Sequence, residues 1–583
     1  MSELIAPHGG ILCDQMLDAT AQQALKTQLP LLNSWCLNPR QLCDVEMILN
    51  GGLSPLTGFM SQADYHSVIA TMRLADKTLW PMPITLDVSN EFANKLILGE
   101  KIILRDSEGN IIALLEIQDI WGVDKAVEAK AVYGTLDEAH PGVKYLMSNS
   151  GNIYLGGRLY GMSLPKHYDF LELRAAPRIL RETFKKLGWK NIVGFQTRNP
   201  MHRAHQELTM RAAKECGANL LIQPVVGMTK PGDIDYFTRV RCYKKLLNYY
   251  NQPTMLNLLP LAMRMAGPRE ALWHAIIRQN YGCSHFIVGR DHASPGKDSQ
   301  GNLFYGYYDA QTLLAEHQNE LAIKIVSFKE MVYVKERMQY AAIDEVQKNE
   351  TVMNISGTEL RERLHTGGEI PTWFTYAEII EELRCSYPAR LQQGFTLFFT
   401  GLSAAGKSTI AKALLARLMA LGGRQVTLLD GDEVRRILSS GLGFSRQDRD
   451  LNIVRIGYLA AEITKHRGIA ICAAIAPYRA AREEVRRMVS SHGGFIEIYV
   501  STPLEICEKR DPKGLYVKAR NNFLPGFTGI SDPYEMPEHS EIALNTRDIS
   551  VDEATDIIIS KLTALGYLKS NELLQETVNT INE

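Results

Sequence analysis

The run GLSAAGKST, residues 401 to 409, has the spacing GxxxxGK[ST] and lies between an apolar run (FTLFFT) and a helix-like one (IAKALLARL). That pattern suits phosphate. Gly401 and Gly406 let backbone N–H groups wrap β- and γ-phosphates, Lys407 brings a mobile cation to the oxygens, and Ser408 at the helix start can ligate Mg²⁺. The cradle is read as Gly401, Leu402, Ser403, Ala404, Ala405, Gly406, Lys407, Ser408 and Thr409. A glycine-rich turn with an incidental lysine is the plain alternative, and the strand–loop–helix context argues against it. The next strand-like run, QVTLLDGDEVRRIL, ends in Asp430 and Asp432, with Arg435 following. One carboxylate could hold Mg²⁺ through water while the other orients an attacking hydroxyl, the division of labour of a small-molecule kinase. Either could instead cap a helix from a DG turn. No NKxD motif follows, which argues against a GTPase.

A second stretch, QTRNPMHRAHQELTMRAAKE at 196 to 215, puts two histidines three residues apart. Asn199 is placed to cap a helix with Pro200 at its first position, so the helix is expected to begin there. His202 and His205 would then share one face of the first turn, where the helix dipole favours anions. Three readings compete. A zinc pair would prefer HExxH spacing or a third nearby ligand; packed core histidines are a second possibility. The favoured reading makes them grips on a triphosphate, stabilising charge that develops on a leaving pyrophosphate. Gln196 and Arg198 are donors suited to a tetrahedral oxyanion, Arg198 bidentately. Another strand-like run ends in VGRDHASPG and brings Gly289, Arg290, Asp291, His292 and Ala293.

The elements that must position these residues follow from pattern. At 583 residues the chain has room for several domains, with fold class expected as multidomain α/β. Residues 1–168 show short β-like runs (MPITLDVS, KIILRD, IIALLEIQDI) between turn signals, a mostly β domain. From 169 to 325 apolar strands alternate with amphipathic helices, the signature of a doubly wound parallel sheet with ligands at its strand ends. A small mixed segment with a linker spans 326–390, a second α/β unit 391–570, and a polar tail 571–583. Lys and Arg number 64 against 65 Asp and Glu, which gives no basic field for nucleic acid. The nine cysteines contain no CxxC and read as buried thiols in a reducing compartment. No apolar run approaches a membrane span and no secretory signal precedes the first run, so no membrane partner and a cytoplasmic location are expected.

Taken together, GLSAAGKST, LDGDEVRRIL, GLGFSRQDRDLNIVRIGYLA, PYRAARE and RDPKGLYVKAR…PGFTGISDPYEMPE resemble adenylylsulfate (APS) kinase, in that family's order. The resemblance implies that Asp432 lies at the acceptor 3′-hydroxyl and the metal. It implies that Arg435, Phe444, Arg449 and Asn452 hold the nucleotide sulfate, that Ile475 and Phe527 enter the acceptor pocket, and that Lys513 belongs to a mobile lid. Two positions depart from the family. Ala404 stands where many members have glycine, a change that costs little if its φ is negative. Ala476 stands where many have a serine reported as a phosphorylation site; in-line transfer needs no covalent intermediate there.

Residues 1 to about 390 in turn resemble ATP sulfurylase through PHGG, GGLSPLTGFM, QTRN, LPLAMRMAGPREALWHAIIRQNYG, GRDHA and ISGTELRERL. By that resemblance the first region is a PUA-like domain, QTRN, GRDHA and Val332 line the sulfate and ATP sites, and Thr197, Arg198 and Asn199 surround the reacting centre. The implied function is two-step sulfate activation with ATP, sulfate, APS, PAPS and pyrophosphate as ligands, Mg²⁺ accompanying ATP and no structural metal. A homo-oligomer is expected from the same resemblance. The alternative is a sulfurylase whose C-terminal domain senses APS or PAPS as a regulatory module.

Overall fold

Strands buried on both faces carry continuous apolar runs, and the two parallel sheets of this chain are built from such runs. The computed structural model describes residues 4–26 and 29–569; the tail expected at 571–583 lies outside them. Two compact units emerge, Met1–Ile355 with Ile370–Glu382, and Ser356–Glu369 with Leu383–Glu583.

The first unit opens on a mixed six-stranded sheet. Its long strand Ile111–Gly122 pairs antiparallel with Lys101–Arg105 and with Ile153–Gly161, and Gly58–Phe59 and Leu86–Val88 both pair with Ile153–Gly161. Helices join this β frame. In Pro39–Leu49, for example, Asn38 caps the N-terminus reciprocally with Gln41 and Pro39 occupies the first turn. That N-P-x-Q signal stands in the sequence, but the β-like runs around it dominated the pattern.

The second sheet of this unit is all parallel, in the order Lys324–Ser327, His285–Val288, Ile192–Phe195, Asn219–Ile222, Thr254–Leu256. Chain order reverses between Ile192–Phe195 and His285–Val288, and a ligand crevice lies outside the carboxyl ends of two strands at such a point. A three-stranded antiparallel sheet, Gln339–Ala342, Met331–Val334 and Val352–Met353, is tied to helix Arg203–Glu215 by Arg211, which donates to Tyr340 O (2.8 Å) and Glu345.

The second unit has a five-stranded parallel sheet in the order Val426–Asp430, Ile469–Ala473, Phe395–Thr400, Gly494–Val500, Ile542–Leu544. Helix Ala377–Ser386 runs into the stretch read as a linker. Among the described residues no helix is long and apolar enough to cross a membrane. The thiols correct one expectation: Cys242, Cys283, Cys472 and Cys507 are buried, but Cys36 and Cys385 are exposed. Cys36 ends a short strand at the sheet edge, where its thiol reaches Asp106 O at 3.4 Å but stays open to solvent.

Candidate active sites

In the second unit, strand Phe395–Thr400 delivers the loop 401–406 and helix Lys407–Leu421 begins directly after it. Gly401 at φ +144° passes so close to Val500 that a Cβ would sit 2.5 Å from its carbonyl oxygen, so only glycine fits. Lys407 is 7% exposed, and its Nζ donates to Gly401 O (2.9 Å) and Leu402 O (2.6 Å). Burial pushes its ammonium down to about 8. Ser408 Oγ donates to Asp430 Oδ2 at 3.0 Å, and Asp430 Oδ1 accepts the N–H of Asp432 at 3.0 Å, capping helix Gly431–Ile437. The capping alternative therefore holds for Asp430 alongside its place beside Ser408. Asp432 pairs with Lys513.

Ala404 corrects the sequence expectation. Its φ is +59°, a left-handed position that a Cβ disfavours by about 1 kcal/mol or more. Ala404→Gly is expected to stabilise this unit by roughly 0.5–1 kcal/mol, raising its calorimetric midpoint by about 2 °C. An unchanged or lower midpoint would mean that the loop does not hold this strain in solution. Ala476 is also left-handed, at φ +45°, and 1% exposed.

A cavity of 1340 Å³ gathers Lys407, Ser408, Asp430, Asp432, Arg435, Phe444, Arg449, Asn452, Ile475, Lys513 and Phe527, residues that the sequence scatters over 121 positions. Arg449 donates to Thr528 Oγ1 (2.8 Å) and Asp532 Oδ2 (2.7 Å), which fixes its guanidinium. Arg435 lies over the Phe444 ring at 4.6 Å, and Asn452, 4% exposed, keeps a buried side-chain oxygen with no partner among the described residues. Phe527 packs edge-on to Tyr516. Sequence reasoning missed the wall beside the phosphate loop, where Arg510, Thr546, Ile549 and Val551 line the cavity, Arg510 donates to Thr546 Oγ1 (2.7 Å) and Thr546 Oγ1 to Ala405 O (2.9 Å). The arginine of RDPKG was the available signal.

In the first unit, the loop after Ile192–Phe195 corrects the expected helix start. Helix Arg203–Glu215 begins three residues later than Pro200, with His202 as N-cap. The reason is local. Thr197 Oγ1 donates to Asn199 O (3.0 Å) and accepts its N–H (3.1 Å), while Tyr243 Oη donates to the same carbonyl (2.6 Å), so Asn199 is held in a turn. His205 Nδ1 accepts the N–H of His202 (3.3 Å), which leaves Nε2 to carry the proton of the neutral ring. His202 is 6% exposed, packs against Phe374 at a 32° tilt with ring centroids 4.4 Å apart, and its Nδ1 has no partner among the described residues. Burial, reinforced by His205, pushes His202 down to about 3, and burial alone pushes His205 down to about 4. Among the described residues no third His, Cys, Asp or Glu joins this pair as a metal cluster.

These depressed values carry a stability sign. An unfolded histidine titrates near 6.5, so between about 6.5 and 4 the unfolded chain binds more protons than the folded one, and stability falls as pH falls through that window. The calorimetric midpoint of the first unit should drop over this range, and the slope should be shallower in His205→Gln. An identical slope would remove His205 from the account.

Arg198 donates through Nη1 to both oxygens of Asp233 (2.5 and 2.7 Å), and through Nη2 to Ser294 O (3.4 Å). After strand His285–Val288, Asp291 (φ +60°) and Ala293 (φ +55°) form a strained turn, and strain of this kind clusters at functional sites. Arg290 pairs with Glu330 and stacks on Tyr307 at 3.9 Å. Gly289 has open space where a side chain would be. His292 is linked to Gln196 through His274, which sequence reasoning did not single out. Val332 is buried in strand Met331–Val334.

Comparisons with known proteins match three stretches of the chain. The PUA-like domain family matches residues 5–164, ATP-sulfurylase residues 171–386 and adenylylsulphate kinase residues 393–545. The chain is 51% identical to a sulfate adenylyltransferase of Phaeosphaeria nodorum over 96% of this chain and 99% of the relative. It is likewise 51% identical to one of Mycosarcoma maydis, over 97% of this chain and all of that one. Among solved structures it resembles the hexameric APS kinase from Thiobacillus denitrificans, with a TM-score of 0.80 and 38% identity, covering 97% of this chain and 100% of the other.

Proposed function

The chain belongs to the sulfate adenylyltransferase family and carries an adenylylsulphate kinase domain, a transferase of sulfate activation, and from that premise we propose that it performs two successive steps. Sulfate attacks the α-phosphorus of ATP at the first unit, forming APS and expelling pyrophosphate. A second ATP then phosphorylates the 3′-hydroxyl of APS at the second unit, giving PAPS.

In the first step Arg198 and Gln196 hold the sulfate oxygens, with Thr197, Asn199 and Arg290 around the reacting centre. His205 donates its Nε2–H to the β,γ-phosphates, at a helix N-terminus that already favours anions. Gly289, Asp291, His292, Ala293 and Val332 complete the nucleotide side. In the second step the 401–409 backbone cradles the donor phosphates and Lys407 moves from its loop carbonyls to their oxygens. Asp432 accepts the proton of the attacking hydroxyl, and Arg435, Phe444, Arg449 and Asn452 hold the APS sulfate. Ile475 and Phe527 flank its adenine, and Lys513 closes over it. The oxygen donors of Ser408, Asp430 and Asp432 suit Mg²⁺, which when bound with ATP neutralises phosphate charge. The first step is uphill, because sulfate is a poor nucleophile and the phosphosulfate anhydride is a high-energy product; the second consumes APS and draws it forward.

One observation carries the reading: a single cavity of 1340 Å³ joins an intact phosphate loop to the acceptor-side arginines and Asp432. A second reading has one observation in its favour. The two curated relatives compared above are named sulfate adenylyltransferase, which suits a C-terminal domain that senses APS or PAPS, whereas the solved relative of similar coverage is named APS kinase. The purified chain with ATP, Mg²⁺, sulfate and pyrophosphatase decides between them. PAPS supports both steps, APS alone points to the sensor, and neither product removes the proposal. A cytoplasmic homo-oligomer is part of the same reading, with no nucleic acid or membrane partner. Light scattering tests the assembly that the hexameric relative suggests.

A further inference from the structure

Helix Gly267–Asn280 carries a line of ionisable side chains that stability does not explain. Glu270, His274 and Arg278 recur every fourth residue, so they share one face, and each is 0% exposed. Three such groups on one buried face cost desolvation, and apolar replacements of similar volume are often neutral or stabilising. What distinguishes the line is its middle member. His274 lies between the two loops of the switch point: its Nε2 is 3.2 Å from the side-chain amide of Gln196, and its Nδ1 is 3.0 Å from Nε2 of His292.

Glu270 dictates how these atoms are protonated. Its Oε1 accepts the N–H of Arg264 (2.9 Å) and lies 3.3 Å from His274 Nε2, while Oε2 accepts the N–H of Ala266 (2.8 Å). Despite its burial, which alone would raise it, the interaction with His274 and then the two backbone N–H groups hold the carboxyl below its usual range. An ionised carboxylate only accepts, so the proton of His274 sits on Nε2, and Nδ1 is left to accept from His292 Nε2–H. The single His274 Nε2–H is shared between Glu270 Oε1 and Gln196, so the Gln196 atom that meets it is the amide oxygen, since amide orientation is set by the surrounding hydrogen bonds. Its NH₂ group takes the buried position that has no partner among the described residues, available to a substrate oxygen.

We propose that Glu270 and His274 are positioning residues for adenylyl transfer: Glu270 fixes the His274 tautomer, and His274 holds Gln196 and His292, turning the Gln196 NH₂ group toward the anion. This rests on the two-step reading above. The test is Glu270→Gln, His274→Gln and His274→Asn in the full chain, with ¹⁵N-histidine NMR alongside kinetics. Glutamine can replace Nε2 of an imidazole and asparagine Nδ1. In the wild type His274 should carry its proton on Nε2, and in Glu270→Gln that preference should be lost. The kcat for APS formation should fall tenfold or more in Glu270→Gln and His274→Asn and less in His274→Gln, with KM for ATP changing less than threefold. PAPS formation from supplied APS, at a separate unit, should stay unchanged and report that the chain is folded. A wild-type Nδ1–H tautomer, or kcat within threefold in all three variants, would overturn the proposal. A wild type that makes no APS would sink the functional reading, while the tautomer still reports on the relay.

Discussion

Lys407→Ala will leave a chain that makes APS from sulfate and ATP but forms PAPS roughly 10²–10³-fold more slowly, the cost of removing one preorganised charge donor from a transferring phosphoryl group. The side chain is buried, and its ammonium rests on two carbonyls of its own loop, Gly401 O and Leu402 O. Those carbonyls keep the cation at the loop until phosphate oxygens replace them. Alanine leaves the backbone N–H cradle and both glycines in place, so the loss measures the cation rather than the loop. The check is the initial rate of PAPS formation from supplied APS, ATP and Mg²⁺, with sulfate-dependent pyrophosphate release as the internal control. A decrease of less than tenfold would take Lys407 out of phosphoryl transfer. Because burial lowers its ammonium to about 8, the free enzyme loses the charge as pH rises through that value. The wild-type kcat/KM for ATP at this site should therefore decline above pH 8, and Lys407→Ala should lack that decline.

Arg198→Lys should cost the other half of the chain about 10² or more in kcat/KM for sulfate, while PAPS formation from supplied APS stays at the wild-type rate. The substitution keeps the charge and removes the planar fork, the feature a tetrahedral oxyanion needs. Arg198 has the surroundings of an anion-binding arginine: it lies just past the end of strand Ile192–Phe195, at the switch point, with a carboxylate, Asp233, already across from it. Measured at saturating ATP, the loss should fall on sulfate. A variant that keeps more than a tenth of the wild-type value would show that a point charge suffices and that the fork is not used.

The legible parts were those written in contiguous spacing. GLSAAGKST between an apolar strand and a helix is read the same way in sequence and in structure, because that cradle is built by neighbouring residues around one turn. The acceptor-side residues Arg449, Asn452 and Phe527 could be named only through the resemblance, and their gathering around one cavity comes from the order of five parallel strands. Asn199 followed by Pro200 is a sound helix start by local rules, yet the Tyr243 hydroxyl, 44 positions away, holds the Asn199 carbonyl in a turn and moves the start to Arg203. Ala404 was judged on an assumed φ, which a residue type does not reveal. His274 was invisible because a histidine inside WHAIIRQN has nothing in its own neighbourhood to mark it.

By itself, then, the sequence determined the alternation of strands and helices, the phosphate loop and the residue types gathered at strand ends, because hydrophobic period and turn chemistry are local properties. The tertiary structure decided what those residues are like. It made His202 and His205 neutral by burying them, set Arg198 against Asp233 and Lys407 against its own carbonyls, and joined two distant loops through His274. Charge state, orientation and strain depend on the medium and partners that surround a group, and in this chain those come from segments far away in sequence.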